Sequence, residues 1–255
     1  MKFHQCKKLF SNYADSYLTG REDFDRNIRL KYAHTLRVFE NASEIAAGTG
    51  VSANEAETAL FAALFHDVSR FEQFRRFCSY RDCAEFDHGQ ESADLFTEKF
   101  AGYTLLGDAD VSTVATAIRL HNKISIPENS SFAAKCVRDA DKLDVLEVIL
   151  NELAAPQDER VFYSLPGDRS ISDEVMQYVT ETRAAPHGAL KTLGDFIISK
   201  TTWVYDLNTP VAAGMFSRAD YLGRLRVYLP ENEAVSRVFK EAEDYLKGIS
   251  GEKSQ

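Results

Sequence analysis

The chain has 255 residues, of which 44% are hydrophobic and 27% charged, with thirteen glycines and six prolines. That is long enough for one large domain with a substantial core, or for a domain with a helical extension, and too apolar for a disordered chain. The formal net charge of −9 excludes bulk attraction to nucleic acid or to an anionic membrane, although a bound dication or a few local Arg and Lys residues can still reverse the field in one pocket.

The N-terminal run MKFHQCKKLFSNYADSY lacks the apolar centre of a secretory signal peptide. Asp23 to Ala47 reads as a long amphipathic helix, with Phe24, Ile28, Tyr32, Phe39 and Ala46 near helical spacing. Gly48 and Gly50 stop it. Ser52 and Glu55 form a capping box for the next helix, which runs through AETALFAALFHD and is apolar nearly all round at its end, so that end is expected to be buried. Residues 69–86 are basic and aromatic with weak periodicity, and read as a loop with helical pieces. Asp87 can cap a helix to Phe100, and Asp110 another to Asn122, with Val111, Val114, Ile118 and His121 on one stripe. A helix over 132–153 follows. Beyond Ala155 come loops, a candidate short hairpin near Arg160–Leu165, and helices at about 172–182, 191–206, 211–228 and 232–247, separated by Pro210 and Pro230.

The fold expected is therefore all-α: a helical core over 20–155, with a C-terminal helical extension over 156–250 packed on it. Cys6, Cys78, Cys83 and Cys136 form no C-x-x-C pair and no zinc-finger spacing, and read as free thiols of a reducing compartment. No stretch approaches the ~18 consecutive apolar residues of a membrane span. A cytoplasmic protein is expected.

The chemistry is carried by histidines and aspartates on apolar faces. His34 shares a stripe with Leu30 and Val38, His66-Asp67 ends the run LFAALF, and His121 continues the stripe of Ile118. Asp141 lies on the Val137/Val148 side of its helix. A lone histidine on such a stripe is more often a core residue bonded to a carbonyl than a ligand. The joint pattern is harder to obtain by chance: His34, His-Asp further along, then His88, His121 and Asp141. A buried unpaired carboxylate is costly, and one divalent cation satisfies several such groups at once. Imidazole with carboxylate suits Mn, Fe, Co, Ni or Zn.

The segments YAHTLRV (32–38), ALFHDVSRFEQFRRF (63–77), FDHGQES (86–92), IRLHN (118–122) and VRDADKLDVL (137–146) resemble, in order and spacing, the HD superfamily of metal-dependent phosphohydrolases. HDVSRFEQFR, then DHG, with WVYDLN at 203–208, is similar to a bacterial subgroup of small stand-alone HD proteins. The resemblance implies an HD-type helical bundle and assigns His34, His66, Asp67 and Asp141 to one divalent transition metal. It further implies that Asp67 bridges to a second ion held by His88 and His121. Asp141 is preferred to Asp139 because the family's ligand precedes a Lys/Arg-Leu-Asp segment, supplied here by Lys142, Leu143 and Asp144. Asp139 and Asp144 are then expected on the helix surface or behind the ligands.

A metal-activated water would attack phosphorus, with Asp67 central to catalysis. Arg70 and Lys142 would stabilise phosphoryl charge, and Asn122 would orient substrate or a ligand. Arg70 can alternatively pair with Asp67 or Glu72, and Arg138 and Lys142 can form a solvated helix face. The Arg/aromatic run 70–81 is expected to wall or cover the pocket, and Tyr163-Ser-Leu and Trp203-Val-Tyr-Asp-Leu-Asn to help wall the site or the interface between the two parts. The expected partner is a small phosphorylated, nucleotide-like molecule, with neither nucleic acid nor membrane. Assembly as a homodimer is compatible with the sequence. The same scaffold also admits a di-iron oxygenase or a non-catalytic nucleotide sensor.

Overall fold

Capping chemistry sets where the helices begin and end. In a computed structural model describing residues 2–155 and 167–250, α2 (Glu22–Thr49) runs through Gly48 and stops at Gly50, whose φ of 69° is left-handed. The following α3 (Ala53–Phe65) opens on the expected capping box: Ser52 Oγ accepts from Glu55 N at 3.3 Å while Glu55 Oε2 accepts from Ser52 N at 3.0 Å. Asp87 caps α5 (His88–Leu95) by accepting from Gly89 N and Gln90 N.

The chain divides into two compact units, Met1–Asp144 and Val145–Gln255, with the division inside α7 (Phe132–Ala154) rather than in the loop after Ala155. The first unit also includes α1 (Lys2–Asp15), ahead of residue 20. Its Phe10 is fully buried against Tyr32, Phe71 and Phe65, with ring centroids 5.7, 5.7 and 6.3 Å away. Residues 69–86 contain α4 (Arg70–Phe77), which ends at Cys78 in the left-handed region, φ 48°. An isolated β-bridge, Cys83 to Phe86, follows.

The helix expected over 87–100 is interrupted. After Leu95 it widens into a π-turn over Phe96–Phe100, in which Ala101 N donates to Phe96 O. Phe96 and Phe100 both reach Phe65, at 5.4 and 4.8 Å between centroids, so the turn closes the aromatic cluster behind the end of α3. The next helix, α6 (Asp108–Leu120), contributes Val114 and Ile118 to the same core.

The second unit holds the rest of α7 together with α8 (Asp173–Glu181), α9 (Leu193–Thr201), α10 (Pro210–Arg218), α11 (Tyr221–Arg226) and α12 (Glu233–Ser250). The helix expected over 211–228 is broken at Asp220, which is left-handed (φ 50°) and caps α11 by accepting from Gly223 N at 3.3 Å. A Cβ at 223 would lie 2.5 Å from that carboxylate, so glycine makes the cap possible. The helix expected over 191–206 ends at Thr201 and tightens into a 3-10 segment over Thr202–Asp206. There Tyr205 packs on Tyr245, with centroids 4.8 Å apart, and Lys200 Nζ lies 4.4 Å from the Trp203 ring centroid.

Among the described residues there is no strand beyond the isolated bridge, so the fold is all-α. No described helix is long and apolar enough to cross a membrane. The four cysteines are free, Cys6 and Cys136 buried and Cys78 and Cys83 exposed. The candidate hairpin at 160–165, and with it Tyr163-Ser-Leu, lies outside the described residues.

The aromatic cluster supports the histidine next to it in sequence. Phe65→Ala should lower the unfolding free energy by about 3–5 kcal/mol, measured by urea denaturation. A loss below about 1 kcal/mol would show that the cluster is not structural.

Candidate metal centre

Each histidine of the centre is oriented by a bond to its Nδ1. His66 and His121 use one local device twice. Each sits at the C-cap of a helix, α3 and α6, where the last carbonyls lack intrahelical donors. Each ring turns back to donate Nδ1–H to the carbonyl three residues earlier, His66 to Ala63 O at 2.8 Å and His121 to Ile118 O at 2.6 Å. A carbonyl can only accept, so the proton is on Nδ1 and the Nε2 lone pair is free. The other two use carboxylates. His34, on the buried stripe of α2 with Ile28 and Val38, donates to Asp144 Oδ2 at 2.6 Å, and His88, the first residue of α5, donates to Asp82 Oδ2 at 2.6 Å. All four rings are buried and present Nε2 to Asp67.

Asp67 divides these donors into two groups. Its Oδ2 lies 3.5 Å from His34 Nε2 and 3.6 Å from His66 Nε2. Asp141 Oδ1 joins them, 3.2 Å from His34 Nε2 and 3.7 Å from His66 Nε2. The two Nε2 atoms are 3.4 Å apart. Asp67 Oδ1 faces the second group, 3.7 Å from both His88 Nε2 and His121 Nε2, which are 3.1 Å from each other. Donors about 2.1 Å from one ion stand roughly 3.0–3.4 Å apart at octahedral or tetrahedral angles. Both groups therefore fit a divalent ion with small adjustments. The His88 and His121 lone pairs, facing each other at 3.1 Å, also call for a positive centre between them.

Charge in the centre is closely balanced. Lys31 Nζ donates to Asp67 Oδ2 at 2.7 Å and Arg70 Nε to Asp67 Oδ1 at 3.2 Å. Burial opposes ionisation of Asp67, but Lys31, His66 and Arg70 outweigh it and hold the carboxyl well below its usual range. Burial pushes His66 down to about 4 and His88 down to about 3, the latter helped by Arg70. His34 goes the other way. Burial and Lys31 oppose its charge, yet hydrogen bonds to Asp141, Asp144 and Asp67 raise it to about 10. With protein groups alone, the carboxylates thus keep a proton on His34, a positive charge that a bound cation would replace.

The structure brings His34, His66, Asp67, His88, His121 and Asp141 together. Of the two places expected for Asp139 and Asp144, the helix surface is not the one found: both are buried, and Asp144 lies behind a candidate ligand, accepting from His34 and from Arg37 Nε at 2.6 Å. Other surroundings are corrected. Arg138 is not on a solvated face: it is buried and donates to the carbonyls of Leu120, His121, Lys123 and Ile124, holding the chain that carries His121. Lys142 is also largely buried. Asn122 lies behind His88, donating to Asp87 Oδ1 at 2.8 Å and Asp82 Oδ2 at 3.4 Å, against Gly89, where a Cβ would fall 2.5 Å from its Oδ1. Arg70 pairs with Asp67, the structural alternative, and does so inside the centre. Tyr80, from the Arg/aromatic run, walls the site: its ring lies 5.4 Å from Lys31 Nζ and its carbonyl accepts from Arg70. Lys31, Arg37 and Asp82 were not expected. Lys31 and Arg37 stand three residues either side of His34, so helical spacing could have found them; Asp82 is in a loop and has no periodicity to follow.

Residues 32–146 match the family model of the HD domain. That segment of the chain therefore carries an HD domain. It is similar to a crystal structure of a predicted HD superfamily hydrolase from an uncultured Thermotogales bacterium, with 24% identity, 62% of this chain and 78% of that chain covered, and a TM-score of 0.43. No curated protein matches it. HD domains bind divalent metals, and the His/Asp groups gathered here could hold such an ion.

Removing the acceptor behind His34 should loosen the first group. Asp144→Ala is expected to weaken Mn2+ binding by about 10–100-fold, measured by isothermal titration calorimetry. Unchanged affinity would show that Asp144 does not orient the ligand.

Proposed function

We propose that this protein is a metal-dependent phosphohydrolase acting on a small phosphomonoester or phosphodiester, nucleotide-like in chemistry. The reading rests chiefly on Asp67, whose two oxygens lie among two separate sets of imidazole Nε2 atoms. A carboxylate so surrounded suits the bridge of a two-ion centre. When bound, such ions supply Lewis acidity and bring a water within reach of deprotonation at neutral pH.

The chain's own groups favour an anionic substrate over the oxygenase alternative. Lys31 and Arg70 carry their charges to Asp67, and each side chain is 12% exposed, against 3% for Asp67. Asp141 is 22% exposed, whereas His34 and His66 are almost wholly enclosed. Solvent, and hence a substrate, reaches the centre past Asp141, Lys31 and Arg70. Those two cations can donate to phosphoryl oxygens, Arg70 with planar geometry suited to two at once. Asn122 and Asp82 hold His88 from behind and do not contact substrate in this account. The nucleotide-like part of the reading comes from the family resemblance.

The test is phosphate or nitrophenol release from p-nitrophenyl phosphate and bis-p-nitrophenyl phosphate, with Mn2+, Co2+ or Ni2+ supplied. Metal-dependent turnover, lowered roughly a hundredfold or more in Asp67→Ala, is expected. Absence of release, with iron-dependent oxygen consumption instead, would overturn the proposal in favour of an oxygenase.

A further inference from the structure

Arg70 does more in this centre than pair with Asp67. Its Nη2 lies 3.0 Å from His88 Nε2, so one guanidinium spans Asp67 Oδ1 and His88 Nε2, two of the three donors of the second group. The direction of that bond is fixed by its partners. His88 Nδ1 donates to Asp82 Oδ2 at 2.6 Å, so its proton is on Nδ1. Guanidinium can only donate. His88 Nε2 is therefore the acceptor, and an imidazole nitrogen has one lone pair. That lone pair serves either Arg70 or a metal ion, never both.

The first group has no side-chain competitor of this kind. Lys31 donates to Asp67 Oδ2, but a carboxylate oxygen has two lone pairs and can keep Lys31 while also binding an ion. His34 and His66 have their Nδ1 atoms engaged elsewhere, and neither Nε2 accepts from Arg70 or Lys31 among the described contacts. The two groups thus differ in what must move before an ion enters.

We propose that Arg70 is a built-in competitor for the second ion, and that a phosphoryl anion relieves the competition by drawing Arg70 off His88. The inference rests on the two-ion reading given above. Arg70 remains anchored as it turns, because Nη1 donates separately to Gln73 Oε1 at 2.7 Å, Tyr80 O at 2.6 Å and Asp82 Oδ1 at 3.1 Å. Gln73 is itself fixed to Arg81 O and Asp82 Oδ1. The guanidinium can give up Nη2 and Nε contacts and still stay beside the centre, where an anion between it and the ion offsets their repulsion. By linkage, phosphate then tightens the second ion by the same factor as the second ion tightens phosphate.

The test is Mn2+ titration of the full chain by calorimetry, with and without inorganic phosphate, for wild type and Arg70→Gln. In wild type one ion should bind tightly and the second at least tenfold more weakly, with phosphate tightening the second at least tenfold. In Arg70→Gln the second ion should bind tightly without phosphate, and phosphate should add less than about twofold. First-ion affinity is an internal control for folding; if it falls in Arg70→Gln, Arg70→Lys, which keeps the charge but cannot span both donors, should show the same relief. Weaker second-ion binding in both variants would overturn the proposal and make Arg70 a support of the loop carrying Asp82. Two ions bound equally by wild type, regardless of phosphate, would overturn it too. If wild type binds no Mn2+ tightly, the two-ion reading itself fails, and this inference with it.

Discussion

The buried carboxylate of Asp67 is the constraint on which the centre depends. It has almost no solvent to share its charge, and it stands between four imidazole edges, two internal cations and a second carboxylate. Such a group is tolerated only if every oxygen lone pair meets a positive partner. The four histidines answer in the same way: each Nδ1 is tied to a carbonyl or carboxylate, and each Nε2 is turned toward Asp67. Orienting groups of that kind set the tautomer and make a ligand more basic. A ring held only by packing could instead flip.

One helix coordinates both halves of this arrangement. Arg138, Asp141 and Asp144 recur every three residues along α7, so they share a face. Asp141 joins the first donor group and Asp144 orients His34 within it. Arg138 grips the carbonyls around His121, in the second group. A shift of α7 would therefore move an anion, an orienting acceptor and a backbone clamp together. Buried ionic groups stabilise poorly in general, so their concentration on this face is a matter of placement more than of folding energy.

Much of this was legible in the sequence, and the limits have physical causes. His66 and His121 stood out because each ends an apolar helical run, where a polar ring is conspicuous. The bridging role of Asp67 came from the family resemblance, and the geometry of its two oxygens is compatible with it. Asp144 was left between the helix surface and a place behind the ligands, because sequence distinguishes these only through a partner, here His34, 110 positions away. Lys31 was overlooked because a lysine on an amphipathic helix is ordinarily solvated. Helix α1 carries Phe3, Cys6, Phe10 and Tyr13 at helical spacing, so periodicity alone makes it legible. The break at Asp220 depends on a left-handed non-glycine residue, which local composition does not announce.

The most direct measurement is anomalous diffraction at the manganese edge from crystals soaked in Mn2+ and phosphate. This account predicts two peaks flanking the Asp67 carboxylate, about 3.5–4 Å apart, one beside His34, His66 and Asp141 and the other beside His88 and His121. A single peak, or peaks not contacted by Asp67, would contradict it.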